Sequence, residues 1–275
     1  MREVVIVSGV RSPIGRRKGL LSNVRSDELA ALKLRELVGR AGIDPHVIDD
    51  VIMGCVSQVG EQALDIGRIA VLMAGLPQEI PGVTIDRQCG SSQQAVHFAS
   101  QAILSGDADV VIAAGVENMS RVPIMSNRGD VLFSDMLTEK YEIINQGLSA
   151  ERIAEKWGFT REELDEFSLL SHQRAITAQQ EGRFDNEIFP LEVTLENGET
   201  VFVKEDEGPR EDTTLEKLAD LKPVFKEDGV IHAGNSSQIS DGAAAILLMS
   251  REKAEELGMK PLARIIARTV VGSDP

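Results

Sequence analysis

The chain reads as an α/β layered domain with a largely parallel sheet, into which a mostly helical segment is inserted. Three observations point there. Over residues 1–119, apolar β-branched runs alternate with stretches of helical period, as βαβ units do. That alternation lapses from 120 to 235 and resumes at Asp241. The run Val110-Val-Ile-Ala-Ala-Gly115 is apolar without a break, the mark of a strand covered on both faces. At 275 residues the chain is long for one domain and suits two.

Each element has its own justification. Residues 4–8 form a β-branched first strand, turned by Arg11-Ser-Pro-Ile-Gly15. Ser26 is placed to cap a helix reaching about Arg40, with Leu29, Leu32, Leu37 and Ala41 near helical spacing and Gly42 as its stop. A short strand at 50–56 precedes a helix at 64–73, which Gly75 and Pro77 end. A strand at 82–86 then runs into an Ala- and Gln-rich helix at 91–104, and the buried strand at 110–115 follows. In the insertion, helices are expected at 149–157 and 161–181; Thr160-Arg-Glu-Glu163 is a capping-box pattern and Gly182 a stop. Residues 185–228 carry 14 acidic and 5 basic side chains, more than half of the chain's excess charge, and read as a solvated excursion of loops and short strands. The return begins with a Gly- and Ala-rich strand at 241–249, a short helix at 252–257 and a last strand at 262–271.

Composition excludes several classes of function. Asp plus Glu number 44 against 29 Lys plus Arg, a net charge of −15. That argues against nucleic acid and anionic membranes, which are held by basic footprints. No apolar run approaches the roughly 18 residues of a spanning helix, and the start of the chain reads as a strand rather than a signal peptide. Two cysteines make no disulfide framework, so a reducing, cytoplasmic setting is expected.

Cys89 stands out by position, after a predicted strand and before an apolar helix. Unpaired N–H groups and the positive end of the helix dipole converge on such a place, and cysteines there are readily ionised and nucleophilic. Gly90-Ser91-Ser92 behind it are small enough for a substrate to approach the backbone. The alternative is a buried structural cysteine. Cys55 reads as a small core residue. A base for Cys89 is hard to find. His97 lies eight residues along the same helix, roughly 12 Å away at 1.5 Å per residue. His46 and His172 sit in polar contexts, and His232 is the one histidine with a site-like neighbourhood. The small residues of Gly234-Asn-Ser-Ser237 and Asp241-Gly-Ala-Ala-Ala245 suit either tight packing or close passage of a ligand. No metal-ligand spacing and no Walker or Rossmann glycine fingerprint occurs.

These residues carry a family resemblance. Asp86-Arg-Gln-Cys-Gly-Ser-Ser-Gln-Gln-Ala-Val96 resembles the nucleophile segment of thiolases, and Gly115-Val-Glu-Asn-Met-Ser120 the segment that closes their first sheet. Gly182-Arg-Phe-Asp-Asn-Glu-Ile188 and Ala233-Gly-Asn-Ser-Ser-Gln-Ile-Ser-Asp-Gly-Ala-Ala-Ala245 resemble their loop-domain and return segments, and Arg11-Ser-Pro-Ile-Gly15 their opening turn. The similarity runs in order from residue 1 to 275. It implies a thiolase-like mixed, largely parallel sheet, with a discontinuous α/β domain at 1–119 and 236–261 and a coenzyme A-binding loop domain at 120–235. It implies an acyl-CoA C-acyltransferase in which Cys89 attacks a 3-ketoacyl-CoA or acetyl-CoA and holds the acyl group as a thioester. Coenzyme A is then a substrate, and no cofactor or metal is implied. Position by position, Arg210 falls near the nucleotide of coenzyme A and Ala233 and Ser237 near its pantetheine arm. Lys217 replaces a family serine and is suited to a phosphate. Gln146 stands where short-chain biosynthetic members tend to have His-Met-Gly, which leans toward a degradative type. Family members are commonly dimers or tetramers, so a homo-oligomer is expected.

The departure is an absence. Thiolases have a second half that repeats the α/β domain and supplies an Asn-Glu-Ala-Phe segment, a histidine in Gly-His-Pro and a second cysteine in Cys-x-Gly, none of which occurs here. Residues 262–275 would open that missing C-terminal domain. The expectation is a truncated, catalytically incomplete thiolase, or half of a split one whose C-terminal part is a separate polypeptide. A non-catalytic coenzyme A-binding or interaction module is the alternative from another class. A ketoacyl synthase is disfavoured by the long insertion.

Overall fold

The computed structural model of the chain describes residues 2–195 and 197–273. In chain order its elements are β1 (Val4–Arg11), β2 (Gly15–Arg16), α1 (Ser26–Ala41), β3 (Asp50–Gly54), α2 (Ile66–Met73), β4 (Gly82–Ile85), α3 (Ser91–Ser105), β5 (Val110–Asn118), α4 (Asp135–Thr138), α5 (Gln146–Trp157), α6 (Arg161–Gln180), β6 (Leu191–Thr194), β7 (Thr200–Val203), α7 (Leu215–Ala219), β8 (Ser240–Ser250), α8 (Arg251–Glu256) and β9 (Ala263–Arg264). They fall into two units.

The α/β unit holds the chain up to Gly129, Asp185–Glu207 and Ile239–Val270. Its sheet has the order β4-β3-β5-β8-β1-β9, with β2 beside β8. β1 to β5 run one way and β8 and β9 the other, so the sheet is mixed with most strands codirectional. Successive strand residues face opposite sides. Thus Val51 and Met53 of β3 and Val110, Ile112 and Ala114 of β5 enter one core with Leu29, Leu34 and Leu37 of α1 and Ile66, Ala70 and Val71 of α2. Ile52, Val111 and Ala113 enter the other, with Ala95, Ala99 and Ile103 of α3. In β1 the register slips between Ile6 and Ser8, a bulge at Val7 that resets the alternation so that Val5, Val7 and Val10 all reach the first core.

Several boundaries differ from the sequence reading, each for a physical reason. Ser26 is the first residue of α1 rather than its cap; its N–H and Oγ both turn to Glu61 Oε1, at 2.8 and 3.1 Å. The sequence reading puts 120–235 in one insertion, whereas 120–129 and Asp185–Glu207 pack within the α/β unit. The reason is the β6–β7 hairpin, whose Leu191, Val193 and Val203 are buried in the first core among many charged neighbours. The strand expected at 262–271 shrinks to β9, because Ile265 already donates to Val4, the first residue of β1, and the partner ends there. From 265 to 273 there is no regular secondary structure, and residues 274–275 of the predicted strand-opening segment lie outside the described residues.

The helical unit holds Asp130–Phe184, Gly208–Gln238 and, among the described residues at the end of the chain, 271–273. Thr160 caps α6 through the full reciprocal box: its Oγ1 accepts from Glu163 N–H, and Glu163 accepts from Thr160 N–H at 2.9 Å. Arg161 ties α6 to the end of α7, donating to the carbonyls of Leu218 and Leu221 at 2.6 and 2.9 Å. Among the described residues no helix is long and apolar enough to cross a membrane.

Candidate active site around Cys89

The turn from β4 to α3 is built to present one side chain. Gln88 adopts φ +47, a left-handed conformation that side-chain-bearing residues rarely take. It is held there on every side. Asp86 Oδ1 accepts its N–H at 2.6 Å, and its carbonyl accepts the Ser91 N–H at 3.0 Å and the Ser91 hydroxyl at 2.5 Å. Ser91 Oγ in turn accepts from Arg87 N–H at 2.9 Å. Cys89 stands exposed on this turn, and Gly90 caps α3 without a side chain over the helix end.

Below the turn, Gly54 and Gly115 face each other across β3 and β5. A Cβ at Gly115 would overlap Ser92 Oγ, and one at Gly54 would overlap the Ser92 amide. This glycine pair lets the start of α3 settle onto the ends of the parallel strands. Ligands in open α/β sheets bind at such carboxyl ends. A pocket of about 390 Å³ opens there, lined by Cys89, Cys55, Val56, Met119, Ile124 and Asp241, among others.

Two buried groups shape its wall. Cys55 is 1% exposed, and burial, aided by the charges of Glu117 and Asp86, pushes its thiol up to about 12. It is a core residue, as the sequence suggested, although its side of the strand borders the pocket. Asp241 is fully buried, and burial raises its carboxyl above the usual range against the hydrogen bond from Ser120 N–H at 2.9 Å. Glu117 braces the loop after β3, accepting from the N–H groups of Val56 and Ser57 at 2.9 and 3.3 Å and from Gln62 Nε2 at 2.7 Å. The sequence reading missed Gly54 and Glu117 as site-shaping residues, and took Asp241 only as the opening of a small-residue segment. A glycine or carboxylate near the end of an apolar strand was the available signal for the first two.

Among the described residues, no histidine lines this pocket. His97 is buried along α3, and His46 is exposed and paired with Asp44 at 2.8 Å. His172 and His232 belong to the helical unit.

The Thiolase, N-terminal domain family model matches residues 4–252. The chain belongs to the thiolase family. It is 45% identical over its whole length to the steroid 3-ketoacyl-CoA thiolase FadA6 of Mycobacterium tuberculosis, covering 69% of that protein. It is 43% identical over its whole length to a 3-ketoacyl-CoA thiolase of Bacillus subtilis, covering 73% of it. Among solved structures, the Bacillus anthracis acetyl-CoA acetyltransferase superposes with a TM-score of 0.86 at 43% identity, over 96% of this chain and 69% of that one.

The other residues singled out in the sequence, expected there to meet coenzyme A, all lie in the helical unit. Gln146 is the exposed first residue of α5. Arg210 is exposed, and its N–H donates to His172 Nδ1 at 3.2 Å; burial, with the charge of Arg210, holds that imidazole below its ordinary range. Lys217 is engaged already, donating to the Asp212 carboxylate and carbonyl at 2.8 and 2.7 Å. Ala233 and Ser237 are exposed on the loop after His232, and Gly234 between them packs against Leu218 of α7. His232 itself is buried and pairs with Asp165, so it does not line a site.

Proposed function

We propose that this chain carries the acyl-accepting half of a thiolase-type acyl-CoA C-acyltransferase, with Cys89 as nucleophile. One observation carries the reading: an exposed thiol on a strained, fully braced turn at the head of a helix, opening into a mainly apolar pocket. Cys89 Sγ attacks the 3-keto carbon of a 3-ketoacyl-CoA. The bond between C2 and C3 then breaks, C2 takes a proton, and acetyl-CoA leaves. The acyl group stays on sulfur as a thioester until the thiol of coenzyme A displaces it and restores the cysteine. Arg210 and Lys217 serve the phosphates of coenzyme A, and Ala233 and Ser237 its pantetheine arm. Gln146 and the names of the two 3-ketoacyl-CoA thiolases above support the degradative direction.

The steps before and after the thioester need a base for the thiol and a proton donor for C2. No histidine lines the pocket among the described residues, and its second cysteine is buried with a thiol at about 12. We infer that the proton-transfer groups come from a further polypeptide segment, in the same or a separate chain, and that the Glu117 and Asp241 carboxyls, which also line the pocket, do not replace them; the 275 residues alone then turn over slowly. Incubation with acetyl-CoA, followed by intact mass and peptide mapping, is expected to show slow acylation confined to Cys89 and lost in Cys89→Ser. Acetoacetyl-CoA with free coenzyme A should be consumed barely above the buffer rate. Brisk consumption by this chain would refute the split of labour, and coenzyme A binding without labelling of Cys89 would favour a binding module.

A further inference from the structure

His232 sits at the head of the Ala233–Ser237 loop with no solvent exposure, and nothing in the acyl-transfer chemistry uses it. Its Nδ1 accepts the Gly234 N–H at 3.0 Å, so the ring proton resides on Nε2, which meets Asp165 Oδ1 at 2.7 Å. Asp165 is buried on α6 and is gripped from its other oxygen by Arg161 Nε at 2.8 Å. Around the ring the loop closes on itself. His232 N–H donates to Asn235 Oδ1 at 2.8 Å, Asn235 Nδ2 to the Val230 carbonyl at 2.9 Å, and Ser236 Oγ to the His232 carbonyl at 2.8 Å. From α5, the buried Glu151 carboxylate accepts the N–H groups of Val230 and Ile231 at 2.9 and 2.8 Å. Two helices thus pin the loop from inside, while Ala233 and Ser237 remain exposed on its outer side.

We infer that the Asp165–His232 pair is the latch that holds the Ala233–Ser237 loop in the form that receives coenzyme A. His232 acts as a positioning residue, and the inference rests on the assignment of that loop to the pantetheine arm under the functional reading above. A loop ordered before binding spares the complex the entropy of ordering it. Without the imidazole, the Gly234 N–H loses its acceptor and Asp165 a partner, and that ordering falls on the binding step.

The test pairs coenzyme A calorimetry with amide hydrogen exchange on the 275-residue chain, in the wild type, His232→Leu, Asp165→Asn and His232→Gln. In His232→Leu, protection at 232–236 is expected to collapse and coenzyme A binding to weaken about tenfold, with the melting of the α/β unit unchanged. Asp165→Asn retains an acceptor oxygen and should fall between, and it carries the test if His232→Leu fails to fold. His232→Gln, which still offers a donor and an acceptor, should recover part of both signals. Unchanged protection at 232–236 overturns the latch, and lost protection with unchanged affinity overturns its link to coenzyme A. A wild type that protects the loop yet binds no coenzyme A overturns the functional reading instead.

Discussion

Replacing Lys33 by methionine is expected to stabilise the chain at neutral pH. Lys33 is 1% exposed on α1, within a layer of leucines. Its ammonium finds one long hydrogen bond, to the Phe189 carbonyl at 3.5 Å, and the face of the Phe189 ring at 4.6 Å. Burial holds it at about 8 against an ordinary value of 10.5, with Glu36 and Arg40 as smaller opposed influences. At about 1.4 kcal/mol per pH unit, keeping the charge inside costs the fold up to roughly 3 kcal/mol. Below about pH 8 both folded and unfolded chains hold the proton, and the penalty is complete. Between about 8 and 10.5 the folded chain has released it while the unfolded chain keeps it. The unfolded state then binds more protons, so stability rises with pH across that window. Methionine keeps the apolar stem and removes the charge, a change that is commonly neutral or favourable in a core. Urea unfolding at about pH 7, 8.5 and 9.5 should show the variant more stable by about 1–3 kcal/mol at the lowest value, with the two converging as pH rises. A variant less stable than the wild type at neutral pH, or a wild type that gains nothing above pH 8, would show that the lysine is compensated in the fold.

Three further outcomes are expected. Gly115→Ala, whose methyl group overlaps Ser92 Oγ, should lose about 1–3 kcal/mol in chemical denaturation; an unchanged midpoint would mean the α3 start shifts freely. Burial pushes Glu61 upward, but Arg121 at 2.7 and 2.8 Å and the Ser26 N–H outweigh it and hold the carboxyl at about 2, against an ordinary 4.5. A carboxyl lowered in this way lends stability above about 4.5 that disappears as pH falls toward 2. Glu61→Gln should therefore cost of order 2 kcal/mol at pH 7 and flatten that acid limb in a pH series of thermal melts. Asp212→Asn loosens the hold on Lys217 and removes a negative charge, and should strengthen coenzyme A binding about two- to five-fold by calorimetry; weaker binding would place Lys217 away from the phosphates.

Local signals served the sequence reading well. The alternation of strand and helix, the capping box at Thr160 and Glu163, and a thiol at a strand-to-helix turn depend on neighbours in the chain, and all three appear in the structure. Contacts between distant residues were illegible. Leu191 and Val193 alternate as a buried strand should, yet the acidic residues around them disguised a hairpin that packs with the first core. The Gly54–Gly115 pairing spans 61 positions and has meaning only once β3 and β5 lie side by side. The burial of Lys33 and His232 likewise follows from partners more than 60 residues away, Phe189 and Asp165. The C-terminal strand was overestimated because its apolar residues signal a strand, while its length is set by where β1 begins.

β8 lies at the centre of the sheet, between β5 and β1, although it comes from residues 240–250. Until that segment has been synthesised, two long apolar strands, β1 and β5, each stand with an open hydrogen-bonding edge facing a gap of one strand's width. Such edges invite pairing with other chains, and closing so long a loop is slow. The timing of assembly is thus governed by a central strand that leaves the ribosome after every other strand of the sheet except the two-residue β9. A nascent chain halted shortly before residue 240 would carry every residue of the Cys89 turn and still lack the strand that joins the two halves of its sheet.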